Sequence, residues 1–262
     1  MARDKKLIIA NWKMNLGVHE ASLFVHELSR LVKVHRDVEV VLAPTSLAVQ
    51  TISLQINHRQ FQLAAQNFYW RDNGAFTGEI SATMLRGIVQ YGLVGHSERR
   101  HVFHESDKDI RAKVQAAIRN NIKPVLCIGE TAGERAAEET VDVINDQLLG
   151  GLANITSEEL SEVVIAYEPV WAIGTGVNAM PHDVTKAARA IRSQIRHLYG
   201  QKAAENISIL YGGSVKPESA ADYLALPDVD GLLVGGASLN AHAFNQIVEA
   251  AHEKTVATVK KA

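Results

Sequence analysis

Three side chains suited to moving a proton stand far apart in this chain, each just after a short apolar run: Lys13, His96 and Glu168. A carboxylate can take a proton from carbon and return it to the neighbouring carbon. A neutral imidazole and an ammonium can stabilise the oxygens on which negative charge gathers in between. Two further segments, Gly212-Gly213-Ser214 and Gly235-Gly236-Ala237, are glycine turns whose backbone N–H groups can converge on a phosphate. Together these types describe proton transfer next to a carbonyl in a small anionic substrate.

The elements that must position them follow from hydropathy. Eight short apolar runs, over 6–10, 38–43, 61–65, 91–95, 123–128, 162–167, 207–211 and 230–235, are continuous rather than alternating. That is the pattern of strands buried on both faces of a parallel sheet. Amphipathic segments such as 106–120, 134–149 and 183–199 lie between them, with helix-start signals at Asp183 and at the pair Ser157 and Glu159. Eight units of about 33 residues suit repeated βαβ units. The reading is a single-domain (β/α)8 barrel of eight parallel strands over 1–262, with a polar tail expected to fray from about 253. An open, doubly wound sheet gives the same alternation, but the similar unit lengths and the lack of a second-domain signal favour closure. In such a barrel the active site lies at the C-terminal ends of the strands, where all the residues named above fall.

Composition narrows the function classes. The chain has 262 residues, 47% hydrophobic and 21% charged, with a formal net charge of −2, so no overall field draws it to nucleic acid or to an anionic membrane. The substrate must then be held by local groups. The one cysteine, Cys127, excludes an intrachain disulfide, and its place inside the fifth strand reads as core. The charged stretch 1–6 and the short apolar run 7–10 do not resemble a secretory leader, and no run reaches the roughly 20 apolar residues of a membrane span, so a cytoplasmic location is expected. Gly174-Thr175-Gly176 lacks the full dinucleotide fingerprint, and no cofactor is expected. His96, His101 and His104 could crowd a metal, but the latter two read as one solvated face of a short helix, and no metal is expected. A lone strand-end charge is most often a solvated loop residue. Only the joint placement of Lys13, His96 and Glu168 points to one site.

The motifs then carry a resemblance. Asn11-Trp12-Lys13-Met14-Asn15, Gly95-His96-Ser97-Glu98-Arg99-Arg100, the segment from Ala166 to Gly176, Tyr211-Gly212-Gly213-Ser214 and Leu233-Val234-Gly235-Gly236-Ala237-Ser238 resemble the triosephosphate isomerase family. So do Gln66-Asn67 and Gly74-Ala75-Phe76-Thr77-Gly78-Glu79, and the match runs in register from about 7 to about 250. The resemblance implies dihydroxyacetone phosphate and D-glyceraldehyde 3-phosphate as substrates, Glu168 as base, His96 as neutral electrophile, Lys13 as electrostatic partner and Asn11 as a substrate contact. It implies phosphate contacts from Gly174, Ser214, Gly235 and Gly236, and a mobile lid of Pro169, Val170, Trp171, Ala172, Ile173, Gly174, Thr175, Gly176, Val177, Asn178 and Ala179. It also implies a homodimer in which Thr77 reaches the partner's Lys13. Leu16, Val177-Asn178-Ala179 and Tyr69-Trp70-Arg71-Asp72 depart from the family pattern without removing a catalytic group. The alternatives are another phosphate-binding barrel enzyme, which need not carry Lys13, His96 and Glu168 together, and a catalytically dead barrel used for binding, which is free to lose one of them.

Overall fold

A computed structural model of the chain describes residues 5–174 and 176–259. Eight parallel strands close into a barrel in sequence order: β1 Lys6–Asn11, β2 Val38–Ala43, β3 Gln62–Ala65, β4 Tyr91–Val94, β5 Lys123–Ile128, β6 Val164–Tyr167, β7 Ser208–Tyr211 and β8 Gly231–Val234. Every strand lies within two residues of its apolar run. Closure is made by β1 pairing with both β2 and β8, with Leu7 opposite Glu39 on one side and Gly231 on the other. At that seam a Cβ on residue 231 would sit 1.9 Å from the Leu7 carbonyl oxygen, so only glycine lets β8 approach β1.

The continuous runs are explained by two cores. Leu7, Ile9, Val41, Leu93, Val125, Cys127, Ala166, Leu210 and Leu233 pack together in the barrel interior. Their strand neighbours Ile8, Val40, Leu42, Leu126, Ile165, Ile209 and Leu232 point the other way, onto the surrounding helices. Both faces of each strand are largely dry, and polar strand residues such as Glu39, Gln62, Lys123 and Ser208 keep some exposure. Cys127 is fully buried among these side chains, as read from the sequence.

The helices refine the sequence reading at five points. The segment 106–120 forms the helix Asp107–Arg119, capped by Ser106. The segment 134–149 is instead two helices, Ala132–Ala136 and Thr140–Gly151, because Glu138 between them takes a left-handed φ of +63° that no helix can pass through. At 156–160 the capping partner of Glu159 is Thr156, not Ser157. The Thr156 N–H donates to Glu159 Oε2 at 2.8 Å and the Glu159 N–H to Thr156 Oγ1 at 3.2 Å, opening only the short turn Glu159–Glu162. Asp183 sits two residues inside the helix Pro181–Tyr199, where its carboxylate accepts the Met180 N–H at 3.1 Å. The closing helix, Ala241–Val259, continues past residue 253, with Ala251 buried and its carbonyl accepting the Thr255 hydroxyl.

Candidate active site

Strand β1 delivers Asn11 and, two residues on, Lys13. The buried Asn11 accepts the Lys13 N–H on Oδ1 at 3.0 Å. The side-chain amide of Gln66 donates to the carbonyls of Lys13 at 2.9 Å and Ala43 at 2.8 Å. These bonds hold a turn in which Lys13 has a φ of +52°, a left-handed conformation unfavourable for lysine. The ammonium so placed lies 2.5 Å from Glu98 Oε1.

Strand β4 ends one residue before Gly95, whose φ of +68° turns the chain so that His96 caps the short helix Ser97–His101. The Glu98 N–H donates to His96 Nδ1 at 3.2 Å. Nδ1 is thereby an acceptor, and a neutral His96 carries its proton on Nε2. Nε2 is 3.1 Å from Glu168 Oε1. His101 ends this helix, while His104 lies beyond it with a φ of +55°, so the two do not share a helical face as the sequence suggested. The helix is a single turn and stops before reaching His104.

Glu168 follows β6 and is buried, 2% exposed. Its Oε2 accepts the Ser97 N–H at 3.0 Å. A Cβ on Gly212 would come within 2.9 Å of Glu168 Cγ, so the first glycine after β7 makes room for the carboxylate stem. Burial disfavours charge on both members of the pair. The Glu168 carboxylate overrides it for His96 and raises the imidazole above its ordinary pKa. In return the His96 ring, with the Ser97 N–H, holds Glu168 below the ordinary carboxylate value despite its burial.

These groups share one cavity of about 520 Å³ at the C-terminal mouth of the barrel. Asn11, Lys13, His96 and Glu168 line it, together with Gly174, Ser214, Gly235 and Gly236. A volume of this size suits a small ligand. Of the lid span, Ile173 and Gly174 face the cavity, and Thr175 lies outside the described residues. The span is pinned at its ends and exposed at its tip. Ala172 and Ala179 are buried, Gly174 and Gly176 have φ values of +69° and +79°, and Val177 and Asn178 are exposed. At the first end Trp171 Nε1 donates to Glu130 Oε1 at 2.8 Å, the Tyr167 hydroxyl donates to the same carboxylate at 3.1 Å, and the Arg135 guanidinium lies 3.8 Å over the Trp171 ring. At the other end the Tyr223 hydroxyl donates to the Ala179 carbonyl at 2.8 Å. Thr77 is apart from this cavity, exposed on the loop 73–79.

Four contributors were given no role of their own in the site by the sequence reading: Gln66, Ser97 and Glu98, which appeared only within motifs, and Glu130. Glu130 is fully buried and stands just past the end of β5, the same kind of position that singled out Glu168. Its signal was present and unread. The other three act through neighbours from other loops, which sequence spacing does not show.

A closed eight-stranded parallel barrel whose cavity opens at the strands' C-terminal ends, among paired glycine turns, defines a (β/α)8-barrel enzyme of the phosphate-binding kind. Comparison with known proteins narrows the class. A model of the family described as triosephosphate isomerase matches residues 6–251. The chain is 44% identical over 245 residues to the triosephosphate isomerase of Caldanaerobacter subterraneus subsp. tengcongensis, covering 93% of this chain and 98% of that one. It is 45% identical, with the same coverage, to that of Alkaliphilus metalliredigens, and 43% identical over 243 residues to that of Trichlorobacter lovleyi, covering 92% of this chain and 97% of that one. The chain belongs to the triosephosphate isomerase family.

Proposed function

We propose that this isomerase interconverts dihydroxyacetone phosphate and D-glyceraldehyde 3-phosphate through an enediolate, with Glu168 moving the proton between the two carbons. The observation that carries the proposal is the meeting of Glu168, His96 and Lys13 on one wall of a cavity that also holds the glycine turns. The phosphate is assigned to Gly174, Ser214, Gly235 and Gly236, which line this cavity and, apart from Ser214, carry no side chain to keep a phosphate from their backbone N–H groups. Asn11 and Lys13 then face the substrate oxygens.

To reach a substrate carbon, Glu168 must leave the Ser97 N–H and His96 Nε2. That departure sets the state of His96. It removes the interaction that raises the imidazole pKa, while burial persists and the charges of Glu98 and Lys13 act in opposite senses. The Glu98 N–H on Nδ1 also opposes a second proton, because an imidazolium has no acceptor to offer it. His96 therefore works as a neutral donor through Nε2 toward an enediolate oxygen, and Lys13 supplies the positive charge. Closure of 169–179 over the phosphate excludes water and strengthens both interactions.

The active assembly is proposed to be a homodimer working in the cytosol. Met14, next to Lys13, is 94% exposed, and Phe76 beside Thr77 is 39% exposed. A second copy that covers them brings Thr77 to the loop of Lys13. The reaction is tested by running it from glyceraldehyde 3-phosphate in deuterium oxide and reading the product by NMR. Proton transfer through a carboxylate that exchanges with solvent places deuterium on the terminal carbon of dihydroxyacetone phosphate. Complete absence of solvent label would overturn it in favour of direct hydride transfer.

A further inference from the structure

A metal search by sequence falls on His96, His101 and His104, but the fold gathers a different set. His35 and Asp37 lie in the turn leading into β2, and His252 lies on the closing helix Ala241–Val259. His252 Nδ1 is 2.9 Å from both Asp37 carboxylate oxygens, and His35 Nε2 is 3.1 Å from Glu249 Oε1, one turn before His252. The two imidazoles stack with centroids 4.0 Å apart and planes 20° from parallel. One ligand atom from each of His35, Asp37 and His252 falls within 4.8 Å of the others, and among the described residues no other His, Cys, Asp and Glu group does this. All three are half-buried.

We propose that His35, Asp37 and His252 form a site for Zn²⁺ or a similar divalent transition ion, with the Glu249 carboxylate beside it. Two imidazole nitrogens and carboxylate oxygen form the donor set that such ions prefer over calcium or magnesium. Metal–ligand bonds of about 2.0–2.2 Å at tetrahedral angles place donors on one ion about 3.3–3.6 Å apart. From a spread within 4.8 Å the widest pair must close by up to about 1.5 Å, through a splaying of the stacked rings. The partly exposed His252 and Asp37 side chains can make that rotation, and their exposure leaves an entry path. The ion displaces the protons that now bridge each imidazole to its carboxylate, so the resting hydrogen bonds already hold the donors near their places.

Position indicates what the ion does. Asp37 precedes the N-terminal end of β2, on the barrel face opposite the cavity, and its carbonyl accepts the Lys6 N–H at 2.8 Å. An ion on Asp37, His35 and His252 thus ties the last helix of the chain to its first strand. It is a clasp on barrel closure, remote from proton transfer.

The test uses the full chain, stripped with a chelator, and titrates it with Zn²⁺ by calorimetry while following thermal unfolding. Stoichiometric binding, one ion per chain, is expected, together with a melting temperature raised by a few degrees when free Zn²⁺ is well above Kd. A His35→Gln/His252→Gln double variant should lose this site and the thermal shift while keeping isomerase activity. Asp37→Asn should weaken binding at least tenfold. Should the double variant fold poorly, Co²⁺ bound to the unaltered chain should show visible ligand-field absorption that one equivalent of Zn²⁺ removes. No stoichiometric Zn²⁺ binding, equally tight binding by a folded double variant, or a featureless Co²⁺ spectrum would each overturn the proposal.

Discussion

The first end of the proposed lid rests on a buried carboxylate, and the strength of that anchor can be measured. Glu130 is fully buried and accepts from the Trp171 indole at 2.8 Å and from the Tyr167 hydroxyl at 3.1 Å. Trp171→Phe removes one donor and keeps most of the ring's packing, including its face beneath Arg135. A hydrogen bond to a charged group contributes about 1.5–3 kcal/mol, and the variant should lose stability in that range, shown by a lower urea midpoint. Glu130→Gln keeps the shape but replaces two charge-assisted acceptors with one neutral amide oxygen, so it should cost a similar amount. The two substitutions break the same bond. In a double-mutant cycle their costs should therefore fail to add by about 1–2 kcal/mol. The same loss should appear in catalysis, because Trp171 belongs to the lid and Glu130 to the frame. Trp171→Phe frees the hinge from its resting position, and kcat/KM should change while the Tyr167 bond stays intact. Additivity within about 0.5 kcal/mol in unfolding would refute the anchor, since uncoupled residues behave that way.

In the free enzyme His96 should titrate above an ordinary histidine, and in Glu168→Gln it should remain neutral to lower pH, read from ¹⁵N imidazole shifts; an unchanged titration would remove Glu168 as the cause. The same pair sets the pH dependence of stability: the depressed Glu168 contributes stability above about pH 4.5 and loses it as pH falls through its own pKa, while the raised His96 contributes below about pH 6.5 and loses it as pH rises through its own. Deleting residues 173–176 should leave a folded barrel that isomerises orders of magnitude more slowly and releases methylglyoxal with inorganic phosphate, because nothing then holds the phosphate against expulsion from the enediolate; slow turnover without methylglyoxal would leave the lid a role in binding only. Phe76→Glu should produce a monomer by light scattering with little activity, whereas a fully active monomer would show that the barrel works alone.

The strands were legible because burial on both faces leaves few polar positions to blur an apolar run, as in β5, where five consecutive residues after Lys123 are buried. The helical boundaries were less so, since they depend on single backbone conformations such as Glu138 at φ +63°. Lys13, His96 and Glu168 could be found because strand ends converge by architecture, and proximity followed from counting strands. Glu130 obeyed the same rule and was passed over because buried carboxylates are rare and loop carboxylates common. The His35, Asp37 and His252 cluster could not be found this way. It joins residues more than two hundred positions apart across the closing seam of the barrel, and neither turn nor helix carries a metal-ligand spacing of its own.

One carboxylate, Glu168, is proposed to carry the proton in this cavity. Its most direct test is the turnover of Glu168→Ala in a coupled assay from glyceraldehyde 3-phosphate, on protein shown to be folded by circular dichroism. The pocket, His96 and Lys13 remain in place, so binding should persist while kcat falls by at least the 10²–10⁴-fold typical of a lost general base. A folded Glu168→Ala enzyme with kcat within tenfold of the unaltered chain would contradict the account.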